Sequence, residues 1–117
     1  MADYTIKRGD LEPPLRVQLT ERDPTSSDPR KRRPLDTTDA VSAKLKAISR
    51  DGSRSIDFAG TLEDPRTDGW FTYDWQVQDT QESTWFHAEV ELMWPGGRPQ
   101  TIPNDGTFVI EVEDDRG

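Results

Sequence analysis

Residue types able to do acid–base or metal chemistry are few in this sequence. It has no cysteine and a single histidine, His87, set in the run Trp85-Phe86-His87-Ala88-Glu89-Val90-Glu91-Leu92-Met93-Trp94. Glu89 and Glu91 share the parity of His87, so the three project from one side of an extended segment. A general base or metal ligand needs partners within hydrogen-bond reach, and a lone imidazole beside carboxylates on a strand is ordinarily just solvated. Like-charged neighbours raise a carboxylate pKa, which a glycosidase-type pair requires, yet surface strands carry such rows routinely. Asp64 with Asp68, or Asp114 with Asp115, offers oxygen ligands for calcium but not the regular spacing of a calcium loop. No phosphate-cradling glycine loop, nucleophile elbow or zinc motif occurs. The residues therefore assign no catalytic group, no metal ligand and no cofactor, and a non-enzymatic protein is expected.

Two features carry binding potential instead. Trp70, Trp85 and Met93 take the outward parity of strands expected to be neighbours, and an apolar patch on a polar face often marks a contact surface for protein or for a sugar ring. The alternative is that a loop or a terminal segment covers them. The second feature is Arg30-Lys31-Arg32-Arg33, four consecutive basic residues in a chain of net charge −8. Such a run is usually solvated, but it also suits docking on an acidic neighbouring subunit.

The elements that would position these residues are strands. Phe86, Ala88, Val90, Leu92 and Trp94 alternate with a mostly polar set of neighbours over ten residues, and a period of two is a strand rather than a helix. The same alternation marks Tyr4 and Ile6, then Leu15, Val17 and Leu19. It returns in Val41, Ala43, Leu45 and Ala47, with Ile48 outward, and in Ile56 and Phe58. Phe71, Tyr73, Trp75 and Val77 form a second aromatic strand, and Phe108, Ile110 and Val112 end the series. Gly9-Asp10, Asp51-Gly52, Asp68-Gly69, Pro95-Gly96-Gly97 and Pro103-Asn104-Asp105-Gly106 supply turn chemistry between them. Residues 21–39 hold prolines, polar residues and the basic run. They read as a long loop, mobile unless a neighbour orders it. About seven short strands without a convincing helix predict an all-β fold, an antiparallel immunoglobulin-like β-sandwich without the cysteine bridge of antibody domains.

Size and charge narrow the classes further. At 117 residues the chain suits one domain, residues 1–117, closed by the short acidic tail 114–117. An acidic chain is not expected to bind nucleic acid specifically or an anionic membrane. No apolar run reaches the roughly 20 residues that span a bilayer, and Met1-Ala2-Asp3-Tyr4 lacks signal-peptide character, so synthesis in the cytoplasm is expected.

Several segments also resemble a known family. Tyr4-Thr5-Ile6-Lys7-Arg8-Gly9-Asp10 with Pro13-Pro14-Leu15-Arg16-Val17-Gln18-Leu19 looks like the start of small tailed-phage structural proteins. Leu35-Asp36-Thr37-Thr38-Asp39-Ala40-Val41 resembles their segment before a strand. Phe86-His87-Ala88-Glu89-Val90, Pro95-Gly96-Gly97-Arg98 and Thr101-Ile102-Pro103-Asn104-Asp105-Gly106 continue the likeness. Together they resemble the N-terminal domain of phage baseplate upper proteins, a module also seen at the base of head fibres. The basic insertion around Arg30 to Arg33 departs from that pattern, and the chain stops at Gly117 where family members often continue into helical or fibre regions. The resemblance implies a virion component used in many copies, a homo-oligomer among its possible arrangements, made in the host cytoplasm and contacting other capsid, head–tail or tail subunits. A module of this length suits decoration or joining rather than a receptor-binding arm. The competing reading is a small carbohydrate-binding module that uses Trp70 and Trp85.

Overall fold

A computed structural model describes residues 2–103 and 106–114. The organising element is β9, Thr84–Trp94, whose alternating side chains are buried on one face and partly or fully exposed on the other. One edge of β9 pairs antiparallel with β5, Ser42–Ser49, from Ser42 opposite Met93 to Ser49 opposite Phe86. The other edge is shared. β10, Arg98–Ile102, covers the half ending at Trp94, and β11, Phe108–Glu113, covers the half beginning at Thr84. The predicted turn at Asn104 and Asp105, which falls between those two strands, lies outside the described residues.

β1, Tyr4–Lys7, adds parallel to β11, and β6, Ser55–Ala59, adds antiparallel to the free side of β5. The resulting sheet runs β1-β11-β9-β5-β6, with β10 beside β9. A smaller sheet is formed by β2, Leu15–Gln18, β8, Trp70–Tyr73, and the two-residue β7, Thr61–Leu62, in the order β2-β8-β7.

One hydrophobic core joins the two sheets. Leu15, Val17, Leu19, Phe71, Tyr73 and Trp75 come from the small sheet and its flanks. They meet Leu45, Phe86, Ala88, Val90, Leu92, Ile110 and Val112 of the large one. Each large apolar side chain withdrawn from water stabilises the fold by roughly 1.5–3 kcal/mol, so this alternation drives the architecture. Between β6 and β7 the chain passes from one sheet to the other at Gly60. A Cβ there would lie 2.4 Å from the Phe71 ring and 2.7 Å from the Thr72 carbonyl oxygen. Only glycine lets the backbone approach the core this closely.

The fold is therefore all-β, with mostly antiparallel pairing. It differs from the predicted seven or so strands in having eleven, in three sheets, among the described residues. The largest departure falls in residues 21–39, where a structureless loop is expected. β3, Thr20–Arg22, and β4, Arg32–Pro34, pair there as a two-stranded ribbon outside both sheets. Its far end is tied by side chains: Asp23 accepts the backbone N–H and the hydroxyl of Thr25, and Asp28 accepts the backbone N–H of Arg30. Such Asx contacts hold a turn without burying apolar surface, so hydrophobic periodicity does not report them.

Smaller differences have equally local causes. The alternation predicts an inward Val77, which is 68 % exposed. β8 ends at Tyr73, and Val77–Asp79 forms a 3₁₀ turn whose capping box joins the side chains and backbones of Gln76 and Asp79. Val41, also predicted inward, precedes β5 and is 67 % exposed. Phe58 keeps its inward parity opposite Leu45 but is 45 % exposed, on the edge strand of the large sheet.

Candidate functional site: interaction surfaces

His87 stands exposed on the outer face of the large sheet, directly opposite Val109 on β11 and Ile48 on β5. Its Nδ1 lies 3.4 Å from the Thr107 hydroxyl. With Lys46, Ile48, Ser55, Asp57 and Glu89 it lines a shallow concavity of about 340 Å³. Glu91, the third member of the polar row, is committed elsewhere, within 3.8 Å of both Lys44 and Lys46. Lys44 also lies 3.1 Å from Asp57, whose hydrogen bond pushes the ammonium above its ordinary pKa. Glu89 makes no ion pair among the described residues.

Of the acidic residues weighed for calcium, the Asp64 and Asp114 carboxylates have partners of their own, and Asp68 is held through its main chain. Asp64 lies 3.9 Å from Arg66, and the Asp68 carbonyl accepts a hydrogen bond from Gln18. Asp114 accepts the Ser83 hydroxyl, and Asp115 lies outside the described residues. Among the described residues, no group of three or more His, Asp or Glu side chains is placed to hold a metal.

Trp70, Trp85 and Met93, predicted to share one patch, do not. β8 and β9 belong to different sheets, and each presents this parity away from the common core. Trp70 therefore faces one side of the body, and Trp85 and Met93 face the other. The latter two are eight residues apart on β9, roughly 26 Å along a strand. Each tryptophan is half-buried and covered by an arginine. The Arg16 guanidinium lies 3.9 Å from the centre of the Trp70 ring, and that of Arg50 lies 5.2 Å from the Trp85 ring. Arg16 is held by two hydrogen bonds to Glu63, of 2.9 and 3.1 Å, and Glu63 also accepts the Thr72 hydroxyl. The Arg16 hydrogen bonds hold the Glu63 carboxyl below its usual range, and Glu63 in turn raises the guanidinium pKa. Arg16 and Arg50 were invisible as ring partners because parity reveals a face and not which strands adjoin.

The basic run is split by the ribbon. Arg30 and Lys31 lie in the connection, and Arg32 and Arg33 in β4. Arg33 forms an ion pair of 2.9 Å with Glu21 directly opposite, and Arg30 lies 3.6 Å from Asp28. Arg32 donates to the carbonyl oxygen of Thr20 at 2.8 Å and to its hydroxyl at 3.3 Å. Its cross-strand partner is Arg22, a residue outside the run that the pairing brings alongside it. Among the described residues, Arg22, Lys31 and Arg32 make no ion pair, and all three are exposed. Arg22 and Arg32 thus place two uncompensated cations on one face of a ribbon that contains no buried residue.

No family model matches the chain, and neither a curated protein nor a solved structure matches it.

Proposed function

We propose that this chain is a non-enzymatic structural module of a tailed-phage particle, attached to other virion subunits through side chains its core does not use. The observation that carries the reading is the β3–β4 ribbon. It stands outside both sheets, contains no fully buried residue, and opposes Arg22 to Arg32. Like charges placed directly opposite each other destabilise a strand pair. A ribbon kept at that cost, on an acidic chain, fits a contact element whose counter-charges come from a neighbour.

The strand order supports the finer reading of the fold. A sheet β1-β11-β9-β5-β6 facing β2-β8-β7 across one core has the layering of an immunoglobulin-like sandwich, with the ribbon inserted between β2 and β5. Trp85 and Met93 on one face and Trp70 on the other would be separate contacts. The carbohydrate-binding alternative draws less support, since Arg16 occupies one face of the Trp70 ring.

The test is incorporation. Particles produced with Arg22→Glu, Arg32→Glu in place of the native chain should lack the protein, while Trp70→Ala and Trp85→Ala, made separately, report whether either face also contributes. Native copy number in the ribbon variant would remove the ribbon from the attachment. Specific glycan binding by the isolated chain, with no incorporation of the native protein into particles, would favour the carbohydrate reading.

A further inference from the structure

We propose that the Arg22–Arg32 face of the ribbon in one copy docks into the concavity beside His87 and Glu89 on the large sheet of a second copy. The inference rests on the many-copy reading given above and names the partner of the ribbon. Charge selects that partner. Thr20 to Pro34 carry five basic and three acidic residues, whereas the whole chain has 15 basic and 23 acidic ones. The rest of the molecule is thus strongly acidic, and another copy attracts the ribbon. A nucleic acid would be repelled by that same body.

The concavity suits an arginine pair. Ile48, 51 % exposed, offers an aliphatic floor, and Glu89 stands beside it without an ion pair among the described residues. Asp57 and Glu91 are neutralised by Lys44 and Lys46, which leaves Glu89 as the acceptor of the set. Ser55 and Thr107 line the same depression. Arginine stems pack on apolar surface while their planar heads bind a carboxylate in bidentate fashion. Both the opposed arginines and the exposed isoleucine are costs to the isolated chain, and one contact relieves both.

Donor and acceptor are different surfaces, so the contact pairs reciprocally about a two-fold axis or runs head-to-tail. Every copy offers one of each, and head-to-tail repetition closes a ring or extends a filament.

Sedimentation equilibrium on the full chain, at low salt and over a wide concentration range, is the experiment. Self-association that weakens as sodium chloride screens the charges is expected. Arg22→Glu, Arg32→Glu and, separately, Glu89→Arg should each weaken it by about tenfold or more, as reversal of interface charges does. Mixing Arg32→Glu with Glu89→Arg should restore association between the two variants. All three positions lie outside the core, and circular dichroism on each variant checks the fold. A chain that stays monomeric up to about 1 mM, a concentration that would reveal even a weak contact, overturns the proposal. So does association that Glu89→Arg leaves unchanged. A monomeric chain still found on particles would sink the self-contact and spare the virion role. A self-associating chain absent from particles would do the opposite.

Discussion

At the scale of single residues, the most instructive group is Asp79, a carboxylate only 2 % exposed. Its oxygen accepts the Tyr73 hydroxyl at 2.6 Å and the Gln76 backbone N–H at 2.8 Å. Burial, reinforced by that carboxylate, pushes the Tyr73 phenol far above its ordinary pKa. Tyr73→Phe keeps the ring but strips the carboxylate of one donor, which should cost about 1–3 kcal/mol. Chemical denaturation of the pair of proteins checks this, and equal midpoints would show that the hydroxyl contributes nothing. Asp51 illustrates the opposite regime. In the exposed turn before β6 it accepts the Ser53 backbone N–H and the hydroxyls of Ser53 and Ser49, and these hold its pKa down to about 2. A carboxyl depressed on folding contributes stability that is full above its unfolded value, near 3.9, and is lost as pH falls through 2. The melting temperature should therefore drop between those values, and Asp51→Ala should flatten that part of the profile. An identical pH profile in Asp51→Ala would show that the turn does not couple to protonation.

At the scale of elements, β9 carries the sheet by pairing with three strands, and its centre tolerates no charge. Val90 is fully buried between Leu45 on β5 and Ile102 on β10. Val90→Asp places a carboxylate there with no partner, a change that belongs among the most destabilising single substitutions. The variant should be unfolded by circular dichroism at room temperature, and a native spectrum with an unchanged melting temperature would contradict the register. This strand was legible because one chemical signal, alternation, coincided with the physical one, burial. So were β2, β5, β8 and β11. The ribbon was not, because backbone pairing and Asx contacts hold it without apolar residues. Val77 misled for a related reason: the capping exchange of Gln76 with Asp79 outweighs its preference for burial. The surfaces were half legible. Outward parity held for Trp70, Trp85 and Met93, but their dispersal over two faces depends on which strands adjoin, and so does the meeting of Arg22 with Arg32.

At the scale of the whole molecule, the first strand lies parallel to the last, from Tyr4 beside Ile110 to Lys7 beside Glu113. Both strands run in the same direction, so tension applied at Ala2 and Asp114 drags β1 one way along its axis and β11 the other. The hydrogen bonds between them are then strained sideways and together, whereas a hairpin pulled from its open end parts one rung at a time. Single-molecule stretching from those two positions should give one cooperative rupture at high force, and gradual peeling at low force would contradict it. A chain tethered at both ends would thus behave as a mechanical clamp, holding its length under tension until the β1–β11 seam slides and the sheet comes apart at once.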